Sequence, residues 1–485
     1  MGETGRRRLG RMVAGSLAAA LGAGGCAAVS PGRGARPLVS HGVVTLSFSP
    51  WTAGGTWTAT VQRLLASGIA PFEAANRGLR VRLVPPPGGC CNPAALTAAL
   101  VAGTAPDIVL NNNIGGYASG GYLLPLTTYL RRDNIDLRLW SPAQIASFRD
   151  WNNRDLLALP TYYNTTAYLV NLTVMDQLGM GYPDPAWTSG DFARLARSLS
   201  GTQGGGRRFG CNLWFSESQA WGVDWIFRAF GGRKVLHGGA ACGLSEAASV
   251  AAGDWLYHEF LWPQVGTTKA ASGGALAQFA SGRTVLSVQQ AGGLLATVTQ
   301  LAGTTMKWDI APFPVFPAGR ACFGGDQYYA ISALTRHPDQ AWELLRWLSA
   351  ETSWQLSVMR IFLMAPALLS LWPQWIRLIQ ALAPPLRHKN VQWFGHAAMH
   401  GYAYPTSYFR YVDASAEAIL QGAFTALGQR RTTVRQAFVA AARQVDALER
   451  SNAGAAAPGL RSLRSSERRA RTRVKRMFAV ASARP

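Results

Sequence analysis

The sequence predicts an α/β fold, a parallel or mixed sheet covered by helices on both faces, because strand-like and helix-like stretches alternate and turn residues separate them. Residues 43–48, Val-Val-Thr-Leu-Ser-Phe, are β-rich and open the series. The turn-prone stretch Pro50-Trp51-Thr52-Ala53-Gly54-Gly55 comes next, and residues 58–75 then read as a helix. Residues 79–84 alternate Leu-Arg-Val-Arg-Leu-Val, as a strand with two unlike faces does, which completes a βαβ start. A second helix over 93–102 leads through Gly103-Thr104-Ala105 into Pro106-Asp107-Ile108-Val109-Leu110, a buried-strand pattern that stops at Asn111-Asn112-Asn113. Ligands of such sheets bind beyond the carboxyl ends of the strands, and Trp51 and the asparagine run stand at two such ends.

No internal repeat is evident. Glycine-rich stretches at 201–210 and 271–275 read as loops. Beyond Pro366 the chain is helical in tendency, interrupted at Pro373, Pro384-Pro385 and Pro405, and it closes with a helix of period 3.6 over 433–448.

The two ends differ from the body. Arg6, Arg7, Arg8 and Arg11 precede an uncharged run from Met12 to Leu21 and then Cys26, the layout of an export signal over residues 1–25. That run is too short to cross a membrane, and no later segment supplies the roughly 20 apolar residues a spanning helix needs. Ala23-Gly24-Gly25 before Cys26 resembles the cleavage box of bacterial lipoproteins, which implies a lipidated Cys26 at the head of the mature chain and a linker over 26–40. The alternative is an ordinary secretory signal, with the product released rather than tethered.

The formal charge of +22 first points to nucleic acid or an anionic surface. Its distribution argues otherwise: residues 459–485 hold +8 of it and residues 1–25 hold +3, which leaves about +11 on the body. Residues 451–485 are expected to be a disordered basic tail. Beyond Cys26 stand Cys90, Cys91, Cys211, Cys242 and Cys322, an odd number without metal-ligand spacing, so at most two disulfides are expected. The seven histidines are scattered, no carboxylate pair stands out, and no nucleophile elbow, phosphate loop or zinc-protease motif occurs. The sequence therefore predicts a protein that is not an enzyme, with no catalytic residues, cofactor or metal.

Several strings, in order, resemble the bacterial extracellular solute-binding proteins of family 1, which include maltose-binding protein. Ala105-Pro106-Asp107-Ile108 with Gly120-Gly121-Tyr122-Leu123-Leu124-Pro125-Leu126 is similar to the family's "PDI" strand with the helix and loop after it. Leu157-Ala158-Leu159-Pro160 with Asn164, Tyr168 and Asn171 resembles the crossover strand into the second lobe. Pro185-Ala186-Trp187-Thr188 with Asp191-Phe192 resembles a helix start, and residues 279–286 the "F-x-x-GK-x-AM" string. Residues 308–314 resemble the return strand, Gly324-Gly325 through Ser332 a "GG…YAIS" hairpin, and residues 341–348 the "AWEFLKFL" helix. The resemblance implies a two-lobed periplasmic-binding-protein-like clamp of type II, hinged between lobes. Lobe one then takes residues 41–155 and 306–350, and lobe two residues 156–305 and 351–450. It implies the substrate-binding protein of an ABC importer, a monomer outside the cytoplasm, lipid-anchored at the cell membrane, that passes a sugar or oligosaccharide from its interlobe cleft to membrane permease subunits.

Sugar sites pair aromatic faces with planar amides and carboxylates. Among the 17 tryptophans most are expected in the core, Trp342 and Trp347 on a helix face among them. Trp51, Tyr163 and Trp221 are candidate stacking residues; Asn111, Asn112, Asn113 and Asn164 are candidate polar contacts, as are Gln289 and Gln290 at the end of their strand and Asp326 and Gln327 in the glycine string. Relatives carry a Trp just past the glutamines, whereas here stand Ala291-Gly292-Gly293. An anionic ligand of the glycerol-phosphate kind, received by Arg228, Arg233 or Arg320, is the alternative within the family. A basic polymer-binding surface lipoprotein is the alternative outside it.

Overall fold

The computed structural model describes residues 42–453 apart from 51–57, 90–91, 112–113, 204, 214–221 and 268–273. Eleven strands form one sheet: β1 (Val44–Phe48), β2 (Leu79–Leu83), β3 (Ile108–Asn111), β4 (Leu159–Asn171), β5 (Gly201–Gln203), β6 (Gly206–Asn212), β7 (Gly266–Thr267), β8 (Thr284–Gln290), β9 (Trp308–Ala311), β10 (Cys322–Ile331) and β11 (Ala403–Tyr404). Their order is β2-β1-β3-β10-β4-β8-β6-β5, with β9 on β4, β11 on β10 and β7 on β6.

The βαβ start is present as expected. β2 runs parallel to β1 from Val44↔Leu79 to Phe48↔Leu83, and β3 joins the other side of β1 with Phe48 opposite Ile108. Helices α1 (Ala59–Ala75) and α2 (Pro93–Val101) make the crossovers. Each begins at a side-chain cap that satisfies an otherwise orphaned N–H: Thr58 Oγ1 accepts from Val61 N at 3.2 Å, and Asn92 Oδ1 from Ala95 N at 3.1 Å. Asp107, before β3, accepts from Ser47 N and Oγ at 2.8 and 2.6 Å and from Thr335 Oγ1 at 2.6 Å. It staples β1 to the turn after β10. Helix α3 (Ile114–Gly120) comes directly after β3.

β4 divides between two sheet halves. Its first half pairs antiparallel with β10, from Leu159↔Tyr329 to Thr165↔Gly324. Its second half pairs with β8, from Thr166↔Gln290 to Val170↔Leu286, and on the other edge with β9, from Tyr168↔Ala311 to Asn171↔Trp308. β10 crosses back: Cys322 and Phe323 pair with β11, and Tyr328 to Ile331 pair with β3 after an irregularity between Gln327 and Tyr328. Residues 308–311, expected with the first lobe, thus lie with the second half, because the register of β9 places it beside the far end of β4. Conversely Thr352–Phe362, expected with the second lobe, packs on the first half: the Trp354 ring lies 6.5 Å from that of Phe48, and a Cβ on Gly68 of α1 would stand 3.0 Å from it.

Three further sequence expectations change. Residues 201–210 are not a loop but the antiparallel β5–β6 hairpin, Gly201↔Arg208 to Gln203↔Gly206. Gly324 and Gly325 lie inside a continuous strand, and neither has positive φ; they are needed for space, since a Cβ on Gly324 would stand 2.9 Å from the Tyr163 ring. The tight hairpin comes earlier, Val315–Phe316 against Gly319–Arg320, with Gly319 at φ +104°. Pro373 starts the helix Trp372–Leu382 instead of breaking one, because a first turn needs no N–H there.

Helices α4 (Ser189–Leu199), α5 (Asp224–Ala229), α6 (Ala247–Leu256), α7 (Leu294–Leu301), α8 (Asp413–Gly428) and a last helix over 434–453 belong to the second half. The closing helix is held by its carboxylates: Asp446 accepts from Cys242 N at 2.8 Å, and buried Glu449 from Tyr411 N at 3.0 Å and Val412 N at 3.2 Å. Trp140, Trp225, Trp342, Trp354, Trp372 and Trp375 are fully buried and Trp187 and Trp308 nearly so, which gives these eight of the thirteen described tryptophans the core role expected. Among the described residues no helix is long and apolar enough to cross a membrane.

Candidate functional site

Of the thirteen residues of β4, Asn164 alone is not buried, and it sits where the strand changes partners. A half-exposed amide in an otherwise enclosed strand marks the place where the two sheet halves meet solvent. Its Oδ1 accepts from Gly292 N at 2.8 Å, while its NH2 makes no hydrogen bond among the described residues. Gln290 ends β8 opposite Thr166, and its Nε2 lies 3.2 Å from where a Cβ on Gly325 would stand. The structure therefore brings Asn164, Gln290 and the Gly325 backbone together, with Gly292 and Met364 beside them. Asn164, Gln290 and Gly325 sit on paired strands, which holds their donors and acceptors in place.

Gln289 is engaged otherwise. Its Nε2 donates to Thr297 Oγ1 at 2.8 Å and its Oε1 accepts from Gln290 N at 2.9 Å, so it braces the start of α7. A side chain at either glycine would displace the flexible end of a neighbour: a Cβ on Gly292 would stand 2.8 Å from Met364 Sδ, and one on Gly293 2.5 Å from Gln289 Oε1.

Tyr163 is fully buried and its hydroxyl donates to the Ala403 carbonyl, so in this structure it is a core residue. Gln327 Oε1 accepts from the hydroxyl of buried Tyr162. The backbone of Asp326 pairs with Tyr163 and that of Asn111 with Tyr328, which puts both positions on the crossing strands. Trp51, Asn112, Asn113, Trp221 and Cys26 lie outside the described residues. Met364 and the Gly292–Asn164 bond escaped sequence reasoning. The departure to Ala291-Gly292-Gly293 was the one available signal, and nothing marked Met364.

Charge near the crossing is basic. Arg320 donates to the carbonyls of Phe313 and Pro185, so its fork is engaged by backbone. Lys234, with no exposed side-chain surface, lies 2.8 Å from Glu417 and 3.6 Å from Asp224. Burial pulls its pKa down, but Glu417, Asp224 and Asp413 more than reverse this, and the ammonium is held above its ordinary range. Cys211, Cys242 and Cys322 are buried and free, and burial pushes the Cys242 and Cys322 thiols up to about 12, so neither is a ready nucleophile. Cys90 and Cys91 lie outside the described residues. Among the described residues no cluster of three or more potential metal ligands occurs.

The model of one protein family, described as bacterial extracellular solute-binding protein, matches residues 50–353. Solved structures with the same fold include a cyclic alpha-maltosyl-1,6-maltose binding protein from Arthrobacter globiformis, at TM-score 0.65 and 15% identity over 84% of this chain and 100% of that one. A sugar transporter protein from Rhizobium etli in an open conformation matches at TM-score 0.64 and 17% identity, with 84% and 100% covered. UgpB from Mycobacterium tuberculosis in complex with glycerophosphocholine matches at TM-score 0.62 and 18% identity, again with 84% and 100% covered. No curated protein sequence matches the chain.

Proposed function

The chain belongs to the bacterial extracellular solute-binding proteins, and from that premise we propose that it captures a sugar or oligosaccharide between the two halves of its sheet and delivers it to the membrane subunits of an ABC importer. The observation that carries this reading is the span of the family match, which takes in both halves of the sheet and both crossings, β4 and β10. The name of the Arthrobacter neighbour, a binder of a cyclic maltosyl-maltose, points the same way. Half-exposed amides at the crossing are the groups that recognise hydroxyls.

In this reading lobe one comprises residues 44–150, which hold β1 to β3 and α1 to α3, the first half of β4, the second half of β10 and the helices Pro338–Ala350 and Thr352–Phe362. Lobe two comprises the rest of the body. The protein works by closure without chemistry: solute binds the closed arrangement better than the open one and shifts the population toward it, and the permease reads the closed form. Cys26 carries the lipid that tethers a monomer to the outer face of the cell membrane.

Thermal melting of the purified protein against a panel of mono- and oligosaccharides and glycerol phosphates tests the reading. A specific ligand at a hundredfold excess over its Kd stabilises the folded state by about 2.7 kcal/mol. One class of solute is expected to raise the melting temperature, and Asn164→Ala to weaken that solute about tenfold through loss of the amide. A melting temperature indifferent to every member of the panel would sink the proposal.

A further inference from the structure

The helix Gln392–Met399 packs on β4, where Thr165 Oγ1, one residue past Asn164, donates to the Phe394 carbonyl at 2.8 Å. Its last turn carries His396 and its C-cap is His400, whose N–H donates to the His396 carbonyl at 3.0 Å. A spacing of four residues over one helical turn puts both rings on one face. Their centres lie 3.9 Å apart, with the planes tilted by 32°. His396 Nδ1 lies 3.0 Å from the hydroxyl of Tyr402, a buried residue tied to β10 through its carbonyl, which accepts from Cys322 N at 2.9 Å. Among the described residues the one histidine within ion-pair distance of a carboxylate is His258, 3.9 Å from Asp254, so neither ring of the pair is held by an acid.

Burial, then His400 and Arg320, hold the His396 pKa below the ordinary histidine value, and the ring is neutral at pH 7. A neutral imidazole whose Nδ1–H donates to a fixed hydroxyl keeps its Nε2 lone pair as a metal ligand in one orientation. Two nitrogens on one zinc ion, at bonds of about 2.0–2.1 Å, stand about 3.3 Å apart. Rings with centres 3.9 Å apart come to that spacing by side-chain rotation, and His400 is the exposed one of the two. We propose that His396 and His400, with Tyr402 as the hydrogen-bond partner that orients His396, bind one transition-metal dication of the Ni²⁺, Cu²⁺ or Zn²⁺ class, water filling the remaining positions. Imidazole ligands select such ions over Mg²⁺ and Ca²⁺, which take oxygen. The carbonyl end of the helix favours a cation there, while the charge of Arg320 opposes it and lowers the affinity. The site does not depend on which solute the clamp takes.

Calorimetric titration of the purified, untagged protein with Ni²⁺ and Zn²⁺, with Mg²⁺ as the control ion, tests it. The wild type is expected to bind one Ni²⁺ or Zn²⁺ per chain, to melt at a higher temperature with either ion, and to give no response to Mg²⁺. Removing one imidazole of a chelating pair, in His400→Ala or His396→Ala, is expected to weaken both ions about 100-fold. Tyr402→Phe, which keeps the ring and removes the hydroxyl, is expected to weaken them about tenfold. His258→Ala is expected to bind like the wild type. Because His400 is exposed, His400→Ala is expected to melt like the wild type without metal, so its weakened binding is not lost folding. Wild-type affinity in His400→Ala overturns the site, as does the absence of saturable binding by the wild type. Loss of binding in His258→Ala puts the ion elsewhere and overturns it too. Equal affinity of Tyr402→Phe and wild type overturns the orienting role of Tyr402.

Discussion

Lys234 carries its charge with none of its side chain exposed, and the carboxylates that face it come from two different elements, Asp224 on α5 and Glu417 on α8. A lone ammonium in that place would lose its proton; two carboxylates turn the site into a staple between helices far apart in the chain. Replacing Lys234 by Met takes the cation away from both acids, leaving buried Asp224 with the Ser407 hydroxyl and Glu417 partly exposed, and the expected cost is about 3 kcal/mol, read as a lower urea midpoint with an unchanged slope. The pH dependence has a definite sign. The folded-state pKa is raised, so the stabilisation is fully present below the unfolded lysine value of about 10.4 and is lost as pH rises through the folded value. The stability gap between wild type and Lys234→Met is therefore expected to stay constant through neutral pH and to narrow in strong alkali. A gap that narrows in acid instead would mean that the carboxylates, not the ammonium, control the site. Nothing in the local sequence singles out Lys234, because its partners lie on an adjoining helix and on one nearly two hundred residues away.

At the scale of elements, some glycine positions are set by neighbours rather than by turns. β6 lies so close to α4 that a Cβ on Gly210 would stand 1.8 Å from the carbonyl oxygen of Ala196. That oxygen belongs to the helix backbone and cannot swing away as a side chain does. Gly210→Ala is expected to destabilise by about 3 kcal/mol, at the upper end of overpacking costs, and to raise the unfolding rate in denaturant. A stability within about 0.5 kcal/mol of wild type would show that strand and helix separate without penalty. The same physics explains where the sequence was legible. Alternation in residues 79–84 and the capped starts of α1 and α2 are local signals, and the strands and helices formed where those signals lie. Glycine-rich residues 201–210 carried a loop signal that Gly205, at φ +77°, fulfils only at the hairpin turn, whereas Gly210 serves close packing inside the strand. Gly324 and Gly325 misled in the same way, since a strand that crosses beneath Tyr163 and Gln290 needs missing side chains as much as a turn does.

On the scale of the whole molecule, the candidate site was legible only in part. Asn164 and Gln290 were singled out from their place after recognisable strings and do meet at the crossing, but a second contact between the halves joins residues that no motif links. There Trp151 Nε1 donates to Ser119 Oγ at 2.8 Å, the Ser119 hydroxyl donates to the carbonyl of Arg410, and Arg410 N donates to the carbonyl of Gly239 at 2.9 Å. Ser119 and Arg410 are 291 residues apart and sit at the end of α3 and in an irregular segment, so periodicity has nothing to report about them. α3 belongs to the first half of the sheet, while Gly239 and the segment leading into α8 belong to the second. Gly239 packs so tightly on Trp151 that a Cβ there would stand 2.5 Å from the indole ring. If the halves hinge about β4 and β10, this chain of bonds must break on opening, and its strength sets part of the balance between open and closed forms. Loss of one or two hydrogen bonds, about 1–2 kcal/mol, shifts a two-state balance roughly five- to thirtyfold. Ser119→Ala is therefore expected to weaken solute binding by up to that factor and to enlarge the unliganded protein in small-angle scattering. Saturating ligand should return the radius of gyration to the wild-type value, because binding supplies the missing preference for closure. An unchanged radius and unchanged affinity would mean that Ser119 and Arg410 keep their contact in both forms, and that the hinge lies on the other side of it.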